Sequence, residues 1–157
     1  MEALRPANIL ILKAAFYEDI AQLLEDGAVA ALKEADASYE IIDVAGALEI
    51  PVALALAADA GLLPYGAPRW QYHGCVALGC VIRGETSHYE IVANDSARGL
   101  LDLAISRAIP FGNGVLTVEN REQALVRARP DGVNKGGAAV KACLGLVGLR
   151  DKFNPSD

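Results

Sequence analysis

Apolar and polar positions along this chain switch repeatedly between a strand-like and a helix-like period. Residues 8–12, Asn-Ile-Leu-Ile-Leu, form a continuous apolar run, as expected of a strand buried on both faces. A helical spacing follows over about 18–35, and a second strand is predicted over 39–44, broken by Ala45-Gly46. Residues 48–60 are rich in Ala and Leu and read as helix, with Pro51 in a first turn, where its missing amide hydrogen is tolerated. A turn-rich connection over 61–69, carrying Pro64, Gly66 and Pro68, leads to a third strand over 73–82. A helix is then predicted over about 88–108, opened by Ser87-x-x-Glu90 in the form of a capping box and ended by Pro110. The fourth strand spans 114–118. A helix begins near Arg121, where Asn120 and Gln123 can cap it, and Pro130-Asp131-Gly132 interrupts it before a last helix over 135 to about 150.

This order, β-α-β-α-β-α-β-α-α, implies parallel strands joined by right-handed crossovers. The fold class expected is α/β: a flavodoxin-like three-layer sandwich, with a four-stranded parallel sheet flanked by helices and a single domain over 1–157. The last helix is unusually apolar, with Lys141 its one central charge among Ala138, Ala139, Val140, Ala142, Cys143, Leu144, Leu146, Val147 and Leu149. A helix apolar nearly all round is buried on more than one side, which points to a subunit interface. The plainer alternative is a helix packed only on its own sheet.

Composition narrows the class. With 53% hydrophobic and 22% charged residues over 157 positions, the chain is globular and long enough for a core without staples. No apolar run approaches the roughly 20 residues of a membrane span. Residues 9–12 are too short for a signal-peptide core and Lys13 ends them, so a cytoplasmic protein is expected. A net charge of −6, with Lys and Arg dispersed, argues against a nucleic-acid partner but leaves room for a small anionic substrate. Cys75, Cys80 and Cys143 make neither a C-x-x-C pair nor an even disulfide set, and they read as buried thiols rather than metal ligands. Cys75 and Cys80, five apart in one strand, point to opposite faces.

Ligands of open parallel sheets bind beyond the carboxyl ends of the strands, so those ends carry the candidate chemistry. The first strand ends near Phe16, a ring that can be core or can stack on a planar ligand. The second ends in Gly46-Ala47-Leu48-Glu49-Ile50-Pro51, where Glu49 either complements a helix dipole or holds hydroxyl groups. The third ends in Gly79-Cys80-Val81-Ile82-Arg83-Gly84-Glu85-Thr86-Ser87-His88. Exposed amides at the following helix N-terminus favour an anion such as phosphate, and Thr86 adds a hydroxyl donor. The same dipole disfavours imidazolium, leaving His88 available as a neutral base. Arg127 and Lys135 lie far off in sequence and spacing alone joins neither to His88; His73 reads as structural. The chain has no P-loop, G-x-G-x-x-G fingerprint, G-x-S-x-G elbow or metal-ligand cluster.

Four stretches, in order, resemble the lumazine synthase family. Gly46-Ala47-Leu48-Glu49-Ile50-Pro51 is similar to its GA-x-E-x-P segment, and residues 77–89 to its longest motif. Gly114-Val115-Leu116-Thr117-Val118-Glu119-Asn120 with Glu122-Gln123-Ala124 resembles its fourth-strand block, and Asn134-Lys135-Gly136-Gly137 its last. The resemblance implies a transferase of riboflavin biosynthesis. It condenses 5-amino-6-ribitylaminouracil with 3,4-dihydroxy-2-butanone 4-phosphate to 6,7-dimethyl-8-ribityllumazine, releases phosphate and water, and uses no metal or organic cofactor. It further implies that Phe16 stacks on the pyrimidine, that Ala47, Leu48 and Glu49 bind substrate (Ala47 and Glu49 on the ribityl chain), and that Val81 and Ile82 meet the pyrimidine through their backbones. Gly84, Glu85, Thr86 and Arg127 would surround the phosphate, Lys135 and Asn113 would contribute to the heterocycle side, and His88 would move protons. The expected partners are the two substrates and further copies of the chain, as a pentamer or an assembly of pentamers with sites between subunits.

Three positions depart from the family pattern. Tyr17 stands where Asn is frequent. Asn113 replaces a common Phe at the pocket wall. Ala138 replaces an acid three residues after the Lys of the last block, which implies weaker polarisation of His88 without loss of activity. A non-catalytic flavin- or ribityl-binding protein on the same scaffold is the alternative, against which the combination of Thr86, His88, Arg127 and Lys135 weighs. A phosphoacceptor signalling domain would need an aspartate ending the third strand, where this chain has residues 79–84 without one.

Overall fold

A computed structural model of the protein describes residues 6–155. Its elements are β1 (Asn8–Ala14), α1 (Glu18–Glu34), β2 (Ser38–Val44), α2 (Glu49–Asp59), β3 (Gly74–Ile82), α3 (His88–Arg107), β4 (Phe111–Val118), α4 (Arg121–Ala128) and α5 (Lys135–Phe153). The sheet is wholly parallel with order β2-β1-β3-β4. The expected α/β architecture is therefore present. The differences lie at element ends: β4 begins three residues earlier than its apolar run, because Phe111–Asn113 complete the ladder with Cys75–Ala77. The last helix continues to Phe153.

Side-chain alternation divides the interior into two cores. Ile9 and Ile11 of β1 and Val76 and Leu78 of β3 face α1, α4 and α5, joined by Leu24, Val140 and Val147. Leu10, Leu12, Cys75 and Ala77 face α2 and α3, joined by Ile50, Leu54 and Leu100. The central strands β1 and β3 are thus apolar on both faces, which is why they lack alternation in the sequence. Cys75 and Cys80 do point to opposite faces, and all three thiols are free. Burial pushes the Cys80 thiol up to about 11 and that of Cys143 to about 12, so both stay protonated at neutral pH.

The first core is closed by backbone-to-backbone approach. Leu116 and Val118 face α5, and between strand and helix a Cβ at Gly112 would overlap the Ala139 carbonyl. A Cβ at Gly136 would overlap the Leu24 carbonyl of α1. Asn134, left-handed at φ 55°, caps α5 by accepting the Gly137 N–H at 3.2 Å, its side chain fitting against Gly27. The Asn-Lys-Gly-Gly run thus has a packing reason of its own.

That packing covers one side of α5, while Leu146, Leu149 and Phe153 of the same helix remain exposed. Its Gly136, Gly137, Ala139, Val140, Cys143 and Val147 are buried on the chain's own sheet and α1. The barer helices are on the other face. Of the 20 residues of α3 only Ser96 and Leu100 are buried, while Ile91, Leu101 and Ile105 stand exposed, Ile105 at 71%. Val52 and Leu56 of α2 are exposed beside them. These side chains give that face an exposed apolar surface.

Gly112→Ala should lower stability by about 2–3 kcal/mol or more, because strand and helix must separate to admit the methyl. Gly145→Ala, whose Cβ meets nothing within 4 Å, should instead raise it by up to about 1 kcal/mol through helix propensity. Urea unfolding midpoints of the two variants check both signs.

Candidate active site

The chain order reverses between β1 and β3: β2 lies on one side of β1, and β3 and β4 on the other. Loops leaving the carboxyl ends of β1 and β3 therefore part in opposite directions and leave a crevice. A pocket of about 350 Å³ occupies it. It is lined by Phe16 after β1, by Gly46, Ala47, Leu48 and Glu49 after β2, and by Val81, Ile82, Gly84, Thr86 and His88 at the end of β3. Tyr17, Cys80, Tyr89 and Val92 also line it, which sequence spacing had not singled out. Phe16 is 75% exposed with its ring edge-on to Tyr17 at 5.0 Å, so it is no core residue. Glu49 opens α2, and its Oε1 lies where a Cβ on Gly46 would come within 3.1 Å.

The phosphate-type loop differs locally from its expected form. Ser87 precedes α3 in near-helical conformation (φ −70°, ψ −1°) and its side chain makes no cap. Thr86 takes that part, its Oγ1 accepting the His88 N–H at 3.3 Å, which leaves the hydroxyl hydrogen free to donate elsewhere. Glu90 does not turn back to the helix end because Arg83 claims it. The guanidinium pairs through Nη1 with Glu90 and through Nε with Glu119 at 2.7 Å, and lies 4.4 Å from the Tyr89 ring centre. The hydrogen bond from Arg83 holds the Glu90 carboxyl below the usual carboxylate range. A Cβ at Gly84 would meet nothing within 4 Å, so nothing in this chain fills the space before the loop.

The α4 start follows its expected design: Asn120 Oδ1 accepts the Gln123 N–H at 2.9 Å, and Gln123 Oε1 accepts the Glu119 N–H at 2.8 Å. Beyond it lie the residues not brought to His88. Arg127 and Lys135 line a separate hollow of about 500 Å³ with Val115, Thr117, Val126 and Val133. Asn113 lies on the uncovered face of edge strand β4, its Oδ1 accepting the Val115 N–H at 2.9 Å. Ala138 is exposed in the first turn of α5 and Glu85 is exposed on the loop; neither lines the His88 pocket. His73 is buried, accepting the Asn8 N–H at Nδ1 at 2.9 Å and stacking on Tyr65, in keeping with a structural part.

Charge is thus divided between two places. Among the described residues, the His88 pocket is lined by Glu49 and by no Lys or Arg. The second hollow is lined, among those residues, by Arg127 and Lys135 and by no Asp or Glu.

Comparison with known proteins identifies the family. The sequence profile of the family described as 6,7-dimethyl-8-ribityllumazine synthase matches residues 6–151. A 6,7-dimethyl-8-ribityllumazine synthase of Bartonella tribocorum is 51% identical over 152 residues, covering 97% of this chain and 95% of the relative. The 6,7-dimethyl-8-ribityllumazine synthase 1 of Rhizobium meliloti is 52% identical over 153 residues, covering 98% and 97% respectively. Identity of this degree over almost the whole of both sequences, together with a pocket at the switch point of the sheet, places the chain in the 6,7-dimethyl-8-ribityllumazine synthase family.

Proposed function

We propose that this transferase of riboflavin biosynthesis works at a site completed by a second copy, the His88 pocket of one chain meeting the Arg127–Lys135 hollow of its neighbour. The segregation of charge carries the reading. A phosphorylated substrate docked at the α3 N-terminus gains amide hydrogens and the Thr86 hydroxyl but meets no cation in that pocket. The cations sit on another surface of the same chain. Two unlike surfaces that must meet make a heterologous contact, which closes as a ring or runs on as a filament. A ring of five, alone or as a unit of larger assemblies, is the closure the family resemblance implies. The exposed apolar residues of α2 and α3 are the surface such neighbours would cover.

Within that site, Phe16 stacks on 5-amino-6-ribitylaminouracil, the backbones of Val81 and Ile82 read its ring edge, and Ala47, Leu48 and Glu49 hold the ribityl chain. Gly84, Glu85 and Thr86 receive the phosphate of 3,4-dihydroxy-2-butanone 4-phosphate, with Arg127 supplied by the neighbour. Lys135 and Asn113 approach the heterocycle from the same side as Arg127. Asn113 offers an amide where a phenyl ring would give only apolar contact. The 5-amino group condenses with the ketone to a Schiff base with loss of one water; phosphate is then eliminated, and the ribitylamino nitrogen attacks the remaining carbonyl with loss of a second water, closing the ring to 6,7-dimethyl-8-ribityllumazine. His88 moves protons in the first two steps. As the first residue of α3 it sits at the edge of the loop proposed to receive the phosphate. Ala138 puts no carboxylate beside it. We place the protein in the cytoplasm as a single domain; its three free thiols suit a reducing compartment.

Incubation with both substrates should yield lumazine absorbance and inorganic phosphate in step; binding of a ribityl compound without turnover would defeat the catalytic reading. His88→Ala should lower kcat by about 10²-fold at most, because holding two reactants together supplies much of the acceleration. Full turnover by that variant would remove His88 from the chemistry.

His88→Ala and Arg127→Ala chains should each be weak, yet regain activity when co-assembled. In an equal mixture about one interface in four pairs an intact His88 pocket with an intact Arg127 hollow. Activity that stays at the sum of the two separate variants would show that both residues act within one chain.

A further inference from the structure

Arg83 is the basic side chain nearest in sequence to the phosphate loop, and its surroundings argue against its binding the phosphate. Its backbone N–H continues the sheet for one more residue, donating to the Val118 carbonyl at 2.9 Å. Its side chain then meets three groups: Glu90 in the first turn of α3, Glu119 after β4, and the face of Tyr89, which begins α3 with His88 and lines the same pocket. One cation between two carboxylates leaves a local charge of −1, which does not attract an anion. A planar guanidinium that pairs with two carboxylates from different elements while stacking on an aromatic ring fixes direction in a way a lysine cannot.

We propose that Arg83 is a positioning residue for the phosphate half of the site, holding Tyr89 and the loop of residues 84–87 in place through Glu90 and Glu119. This rests on the function proposed above. Exposed ion pairs contribute little to stability, and these side chains are 40–57% exposed, so the network's effect should fall on the loop and spare the fold. The loop is attached to the rest of the chain at two ends only, by β3 and by α3, and the Arg83 contacts tie both of those ends to the β4–α4 turn. Without them, Thr86 and the amides of the α3 N-terminus would move relative to Val81 and Ile82, which remain fixed in β3. The consequence should be selective: weaker hold on the phosphorylated substrate, with the pyrimidine substrate little affected.

The test uses Arg83→Met, Arg83→Lys, Glu90→Gln, Glu119→Gln and the double variant Arg83→Met/Glu90→Gln in the assembled protein. Inorganic phosphate binding and separate KM values for the two substrates are read. Arg83→Met and each Gln variant should weaken phosphate binding and raise KM for the phosphorylated substrate by about tenfold. KM for the pyrimidine should change little, Arg83→Lys should restore less than half of the loss, and the double variant should be no weaker than Arg83→Met alone. Charge alone predicts the opposite sign for the Gln variants, since each removes a negative group beside the anion. Tighter phosphate binding by Glu90→Gln or Glu119→Gln would therefore overturn positioning in favour of direct or long-range attraction by Arg83. Equal changes in both KM values, or none in either, would overturn it as well. Phosphate binding is read without turnover, so absence of lumazine formation by the unaltered protein would defeat the proposed activity and leave this comparison intact.

Discussion

The proposed phosphorylated substrate needs its charge answered, and among the described residues no ammonium or guanidinium lines the pocket at the switch point of this sheet. Much else in the molecule is arranged around that gap. Arg83, close by in sequence, already faces two carboxylates. Arg127 and Lys135 are held on the far edge of the sheet by α4 and the start of α5. The face of β4 carrying Asn113 and Thr117 is left uncovered, and α3 exposes Ile91, Leu101 and Ile105. These look like separate irregularities in one chain. They become a single arrangement once a neighbour's edge is brought to the pocket.

The location of the pocket was legible because it follows from strand order. The alternation of apolar runs and helical spacing in the sequence already requires parallel strands, and parallel strands require a crevice where the order reverses. Phe16, residues 46–49, Gly84, Thr86 and His88 fall there because they follow strands, and Val81 and Ile82 because they end β3. The cap of α3 was not legible. Ser87 and Glu90 have the spacing of a capping box, but that spacing cannot register the competing claim of Arg83, whose second partner Glu119 is 36 residues away. The same limit hid Tyr89, placed by a contact with that guanidinium.

The apolar last helix is covered in part by its own chain. A helix with apolar residues on most sides must be covered on most sides, but the sequence does not say by what. Gly136 lets α5 approach α1 and Gly112 lets β4 approach α5, while Leu146, Leu149 and Phe153 stay exposed on the same helix. Conversely, α3 carries charged and polar residues among its apolar ones and gave no sign in the sequence of being the less covered helix, although its buried side is only Ser96 and Leu100.

That close packing bears on catalysis. If acceleration comes largely from holding two reactants at a productive distance, each half-site has to be rigid before the halves are joined, since slack in either adds to slack at the interface. The Lys135 side is made rigid by approaches that admit no methyl group, with Asn134 wedged between Gly27 and Gly137 directly before the lysine. The His88 side is more open: a Cβ on Gly84 would meet nothing within 4 Å, which suits the part proposed for its loop in receiving an anion. Fixing an open loop requires polar contacts at its ends in place of packing along its length. Arg83 stands at the β3 end and ties it to Glu90 and Glu119, while Thr86 within the loop accepts the His88 N–H.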